Sequence, residues 1–275
     1  MALNSSMHLT DSAESNPFSL ADRRVLVTGG TQGVGAAIAV AICRAGGSVV
    51  LTGLHHDAAA TRTLRLCREY SNAELITVDL ARPPEDYLDA FLRELDGAMP
   101  NINALCNNAG TYIDRPFLDM DPQTYRRTFD LNVTSGYFLT QSLARRWVAD
   151  QVKGRVVFTG SINGFLAEPD HTAYDASKGA VIAMVRSLAV ALAPHGIRVN
   201  SMAPGLVQTP LTSAVADDPD LLQWMRHHTP NGEVPGPEVC GDTVVFLLSD
   251  AARHIHGQTI LVDGGMSVWQ QPDPM

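Results

Sequence analysis

The chain has 275 residues, 45% of them hydrophobic, which is enough to bury a full core in one large α/β domain without disulfides or metals to staple it. Its formal net charge of −9 excludes nucleic acid or an anionic membrane as the main partner, since either would need a basic face. The four cysteines, Cys43, Cys67, Cys106 and Cys240, have no CxxC spacing and lie in apolar surroundings. The nine histidines lack a ligand spacing as well. No metal site is therefore expected, and reduced thiols point to a cytoplasmic protein.

In chain order, Met1 to Pro17 is polar and has no apolar stretch of the kind a signal peptide needs. Residues 1–20 are expected to be a flexible tail, with residues 21–275 forming one domain. Val25 to Val27 reads as a buried strand, followed by a small apolar helix over Gly33 to Ala45. Ser48 to Thr52 is a second strand, and Asp57 can cap a helix running towards Tyr70. Leu75 to Val78 is a third strand, and Pro84 opens a helix that reaches Leu95. Asn103 to Cys106 is a fourth strand. Asp121-Pro122 opens a long helical region extending to Val152. Arg155 to Thr159, Ile197 to Ser201 and Thr259 to Val262 are further strands. The first two flank a helix over Thr172 to Ala193, and a helix over Pro237 to Leu248 precedes the last. None of the apolar runs is expected to reach the length of a membrane span. Continuously apolar strands alternating with helices define a doubly wound, Rossmann-type parallel sheet of about seven strands, with helices on both faces. The rhythm breaks only at Leu206 to Gly236, a stretch rich in Pro, Asp and His that is expected to be a substrate lid.

Thr28 to Gly35 follows the first strand and opens the first helix. Gly29 permits a sharp turn, Gly33 removes a side chain where backbone must approach a pyrophosphate, and Gly35 lets helix pack on strand. The free N–H groups of the helix start would hold the phosphates. Tyr174 and Lys178 are four apart on a predicted helix and so share a face. The chain has six tyrosines and only Lys153 and Lys178 as lysines, which makes that spacing informative. A cation beside a phenol favours the phenolate, and a tyrosine needs that help to act as a base near neutral pH. Ser161 follows the fifth strand, at the carboxyl end of the sheet where open α/β folds bind ligands, and its hydroxyl can hold a substrate oxygen. Asn132 lies inside a helix, where Asn is a poor choice.

Together these segments resemble the short-chain dehydrogenase/reductase family in its single-domain, classical form, over residues 22–265. The resemblance is carried by Thr28-Gly-x-x-x-Gly-x-Gly35, Asn107-Asn-Ala-Gly110, Asn132, Ser161, Tyr174-x-x-x-Lys178, Pro204-Gly205 and Leu261-Val-Asp-Gly-Gly265. It implies an NAD(P)-dependent oxidoreductase that passes a hydride between the nicotinamide and a small secondary alcohol or ketone, with Asn132, Ser161, Tyr174 and Lys178 as the catalytic tetrad. Cofactor contacts would come from Gly29, Thr31, Gln32, Gly33, Val34 and Gly35, and from Leu54 after the second strand. Asp79 and Leu80 would follow after the third, Asn108, Ala109 and Gly110 after the fourth, then Tyr174, Lys178, Pro204, Gly205, Val207 and Thr209. Relatives that prefer NAD usually carry Asp at the place of Gly53, and those that prefer NADP carry Arg at the place of Leu54 or Gln32. This chain has neither, and the missing Arg tilts the choice to NAD. By position alone, Asn163, Glu168, His171 and Leu206 would line the substrate pocket.

Two competing functions have sequence markers. Acyl-carrier-protein reductases of the 3-oxoacyl type place basic residues where Phe138 and His195 stand here, and the chain's acidity repels an acidic carrier. A sugar, polyol or cyclic alcohol is the better expectation. Non-catalytic dinucleotide sensors lose the Tyr or the Lys, and neither is lost. Phe138, Trp147, Met184 and Val185 put apolar groups on more than one face of the long helices, and the resemblance implies a homotetramer with dihedral symmetry.

Overall fold

A computed structural model describes residues 16–213 and 217–270. Most of the expected tail lies outside those residues. Its last part is fastened: Leu20 is fully buried, its N–H donates to Ala45 O, and Pro17 O accepts from Ala251 N.

Seven parallel strands form one sheet in the order β3-β2-β1-β4-β5-β6-β7. They are β1 (Arg24–Val27), β2 (Ser48–Gly53), β3 (Ala73–Thr77), β4 (Ala104–Asn107), β5 (Arg155–Thr159), β6 (Arg198–Pro204) and β7 (Thr259–Val262). The helices are α1 (Gly33–Arg44), α2 (Ala58–Arg68), α3 (Pro84–Ala98), α4 (Pro122–Phe129), α5 (Ser135–Ala149), α6 (Thr172–Leu192), α7 (Pro219–His227) and α8 (Glu238–Leu248). Alternate residues of each strand point to opposite faces. Leu26 thus joins a core with α3, α5 and α6 residues such as Phe91, Leu143 and Val185. Val25 and Val27 join the opposite core with Ile38, Leu64 and Val244. With apolar layers on both faces, the strands can be apolar throughout.

Three expectations are corrected. The long helical region from Asp121 is two helices separated by a π-helical turn over Asp130–Thr134, and it ends at Ala149. The segment 206–236 is less irregular than its composition suggests, holding a 3-10 turn at Pro210–Thr212 and the helix α7, capped by Asp218. Third, one helix is apolar enough to pass for a membrane span, over Thr172–His195 with mean hydropathy 1.5. It serves instead as a core element, burying Val181, Ile182 and Val185.

The chain order reverses direction between β1 and β4, so the loops after these strands part and leave a crevice at the carboxyl edge of the sheet. The turn after β1, the loop after β4, the loop after β5 and the start of α6 all converge there.

Candidate active site

The crevice is a cleft whose lining includes every residue named above as a cofactor contact, from Gly29 in the first turn to Thr209 after β6. Its floor is backbone. Gly29 has φ +60, and a Cβ there would lie 2.9 Å from Ala109 Cα; one on Gly35 would lie 2.1 Å from Gly29 O. Neither position accepts any side chain, so the first turn, the start of α1 and the end of β4 are pressed together. Side chains lock this contact. Asn108 Nδ2 donates to Thr28 O and Gly29 O, both at 3.1 Å, and Thr28 Oγ1 accepts from Asn108 N at 2.9 Å and Ala109 N at 3.0 Å. Gln32 caps α1 without a side-chain hydrogen bond, which leaves the helix's first N–H groups facing the cleft. The cradle therefore fits a dinucleotide, with phosphate oxygens meeting backbone N–H groups and no Cβ in the way.

At the end of β2, a Cβ on Gly53 would stand 2.6 Å from Thr31 Cγ2, and Thr31 is itself held through its carbonyl by Thr63 Oγ1 at 2.8 Å. A side chain at residue 53 would therefore require the Thr31 side chain to shift. Leu54 is exposed at the cleft rim.

Ser161, Tyr174 and Lys178 also line the cleft. Ser161 follows β5 and is buried. Its hydroxyl accepts from Asn163 N at 3.1 Å and shares the cleft with the Tyr174 phenol. Tyr174 and Lys178, one turn apart on α6, face the same side, with Lys178 Nζ 5.6 Å from the centre of the Tyr174 ring. Lys178 Nζ donates to Thr159 O at 2.9 Å. Burial pushes the lysine's pKa down to about 8. The expected lowering of the tyrosine by its cation is not what the protein shows by itself. Burial dominates and raises the phenol, against a smaller opposite effect of Ser161.

Asn132 sits in the π-helical turn and is buried. Its Oδ1 accepts from Thr111 N at 2.8 Å, and its Nδ2 donates to Thr111 O and Ser177 Oγ, each at 3.0 Å. The side chain thus joins the loop after β4 to α6. An Asn in mid-helix is explained by this: the widened turn lets it bond sideways.

The four residues placed in the substrate pocket separate. Asn163 and His171 are buried and Glu168 bonds to His171, so the latter two are not plain solvent contacts of a loop. Leu206 is half-buried and lies outside the cofactor cleft. Sequence reasoning missed Arg127, Leu131, Thr111 and Thr159, which also line the cleft. Nothing local in the sequence marks them. Thr159 acts through a backbone carbonyl, which carries no residue signature.

A family model described as enoyl-(acyl carrier protein) reductase matches residues 29–267. A glucose 1-dehydrogenase of Gluconobacter oxydans is 32% identical over 250 residues, 90% of this chain and 93% of the relative. A cyclopentanol dehydrogenase of a Comamonas species is 33% identical over 246 residues, 89% of this chain and 96% of the relative. The solved structure of a gluconate 5-dehydrogenase from Burkholderia cenocepacia, in complex with NADP and tartrate, superposes with a TM-score of 0.86 at 29% identity, covering 92% of this chain and 98% of that one. The chain belongs to the short-chain dehydrogenase/reductase family. It is an NAD(P)-dependent oxidoreductase acting on CH–OH groups.

Proposed function

We propose that the protein interconverts a free secondary alcohol and ketone of the sugar, polyol or cyclic-alcohol class, with Tyr174 as acid/base. The carrying observation is that the Ser161 and Tyr174 hydroxyls line one dinucleotide-shaped cleft together with Lys178, whose Nζ stands 5.6 Å from the Tyr174 ring centre. The bound nicotinamide supplies the hydride donor or acceptor. The chain's own groups do the rest. Ser161 and Tyr174 both donate to the substrate oxygen and polarise its carbonyl. In reduction Tyr174 gives its proton to that oxygen, and in oxidation it takes it. Lys178, buried and held by Thr159 O, biases the phenol, and Asn132 keeps the π-helical turn against α6.

The experiment is Tyr174→Phe, followed by nicotinamide absorbance. Turnover should fall by about 1000-fold, with cofactor binding within about threefold, since only a hydroxyl is lost. Substantial residual turnover would refute the assignment.

The family model's description favours a second reading, an acyl-carrier-protein reductase. Against it, Phe138 and His195 occupy the helix positions where a carrier would need cations, and Phe138 is exposed. Turnover of carrier-bound 3-oxoacyl chains alone would reverse this choice.

Three finer assignments complete the proposal. NAD is the cofactor, supported by the lack of an arginine at the β2 rim. The setting is cytoplasmic, supported by four free, buried cysteines. The assembly is a homotetramer built on α5 and α6, supported by an apolar groove lined by Tyr137, Val148, Leu188 and Leu192. Of the apolar residues noted on the long helices, Trp147 and Val185 belong to the core and carry none of this argument. Phe138 does face outward. Light scattering that reports a monomer at micromolar concentration would overturn the assembly.

A further inference from the structure

The Tyr174 ring has an aromatic neighbour that the chemistry above does not use. Tyr112, just past the Asn107–Gly110 run, stands edge-on to it, with centroids 5.1 Å apart at 82°. Tyr112 also stands edge-on to His171 at 4.6 Å, and its hydroxyl lies 2.5 Å from His171 Nε2. Asp114 Oδ1 is 2.8 Å from the same nitrogen, and Glu168 Oε2 is 2.6 Å from Nδ1. The imidazole is 10% exposed, the two carboxylates 60% and 48%. His171 is thus a buried hub with a carboxylate oxygen close to each ring nitrogen, and both carboxylates reach outward.

The network reaches the reacting groups. Asn163, whose N–H bonds Ser161 Oγ, brings its Nδ2 to 2.9 Å from Asp175 Oδ1 and 3.4 Å from Glu168 Oε1. Arg115 N donates to Asp170 O at 2.9 Å, tying the loop after β4 to the loop after β5. Tyr112, Asp114, Glu168 and His171 are all outside the cofactor cleft, so they flank Tyr174 where a substrate rather than the dinucleotide would stand. Two carboxylates, Asp114 and Glu168, face one imidazole here, and a third, Asp175, stands behind Asn163. The nearby cations are committed elsewhere. Lys178 is on Thr159 O, Arg115 faces Asp121 at 3.8 Å, and Arg127 lines the cofactor cleft.

We propose that the Asp114–His171–Glu168 group with Tyr112 is a specificity element that admits uncharged alcohols and ketones and rejects sugar acids. It deepens the function proposed above and rests on it. A substrate carboxylate would meet like charge in a partly dehydrated site with no uncommitted cation, whereas substrate hydroxyls can donate to the outward oxygens of Asp114 and Glu168. Gluconate, the substrate in the name of the structural neighbour, should therefore be a poor substrate here.

The test compares kcat/KM for glucose, cyclopentanol and gluconate in wild type, Glu168→Gln, Asp114→Asn and Glu168→Asp. The best neutral substrate should exceed gluconate by at least about 100-fold in wild type. Glu168→Gln or Asp114→Asn should narrow that ratio about tenfold, mainly through a lower KM for gluconate, while Glu168→Asp, which keeps the charge, should preserve it. Gluconate turned over as well as the best neutral substrate, or a ratio unmoved by both neutralising variants, would overturn the proposal. If no alcohol or ketone turns over, the functional reading itself fails. Charge selection is then read by calorimetry on the enzyme with NADH, where gluconate binding tighter than glucose would overturn it.

Discussion

The two halves of the cleft are built from different materials. The cofactor half is backbone held against backbone: Gly29, Gly35 and Ala109 meet at distances that exclude any side chain, and Asn108 and Thr28 bind main-chain atoms around them. The substrate half is side chain against side chain, running from Ser161 through Asn163, Glu168 and His171 to Tyr112. A backbone cradle recognises what all dinucleotides share. A side-chain network can be rewritten residue by residue, so that half is where substrate choice can diverge within one fold.

The sharpest way to break this contrast is Gly35→Ala. Its methyl would sit 2.1 Å from Gly29 O, and neither partner is a flexible side chain. Cofactor affinity, followed by NADH fluorescence, should drop by more than about 100-fold, or the chain should fail to fold. Near-normal binding would mean that the cradle yields and the contrast is false. Next in size is Leu54→Arg at the exposed rim of β2. A guanidinium there can pair with a 2′-phosphate, and a charge-assisted bond of about 1.5–3 kcal/mol corresponds to an NADP:NAD preference raised by roughly 10- to 100-fold. An unchanged ratio of kcat/KM for the two cofactors would show that the phosphate lies elsewhere.

Lys178 bridges the two halves and carries a pH signature. Its folded pKa of about 8 lies below the ordinary 10.5, so between those values the unfolded chain binds more protons and stability rises with pH. The burial cost is present in full below about pH 8 and relieved above 10.5. Lys178→Met should therefore be inactive yet more stable than wild type at pH 7, by up to about 3 kcal/mol. Thermal melts across that window should bring the two proteins together as pH rises, and a variant less stable at pH 7 would contradict the burial cost. The smallest effect is expected at Gly97, in α3 and away from both halves, where an added Cβ meets nothing within 4 Å. Gly97→Ala should stabilise by about 0.5–1 kcal/mol without touching kinetics. A destabilised Gly97→Ala would mean that glycine tolerance in this chain does not follow the contacts.

The cofactor half was legible because its signals are local. The glycines from Gly29 to Gly35, the cap at Asp57, whose side chain accepts from Ala60 N at 2.9 Å, and the Tyr174–Lys178 spacing all act within one turn or one helix. The apolar runs likewise placed six of the seven strands to within two residues at each end, and missed the last three residues of β6. What could not be read came from contacts between distant segments. Asn132 looked misplaced in a helix until the π-helical turn put it between Thr111 and Ser177. Trp147 is, from the sequence, only one of the apolar groups spread over more than one face of the long helices, and its indole N–H donates to Ile102 O at 2.7 Å in the core. Tyr112 carried no signal at all, because its neighbours His171 and Tyr174 are 59 and 62 residues away in the chain.

The sequence by itself determined the parallel sheet, the glycine-rich turn and the pairing of Tyr174 with Lys178 on one helix face. Those depend on periodicity, on backbone freedom at glycine and on spacing along a single helix. Only the tertiary structure decided the electrostatics of the site. Burial raised Tyr174 and lowered Lys178, and folding brought Asp114 and Glu168 onto one imidazole. Desolvation and charge pairing depend on distances through space, which the order of residues along the chain does not state.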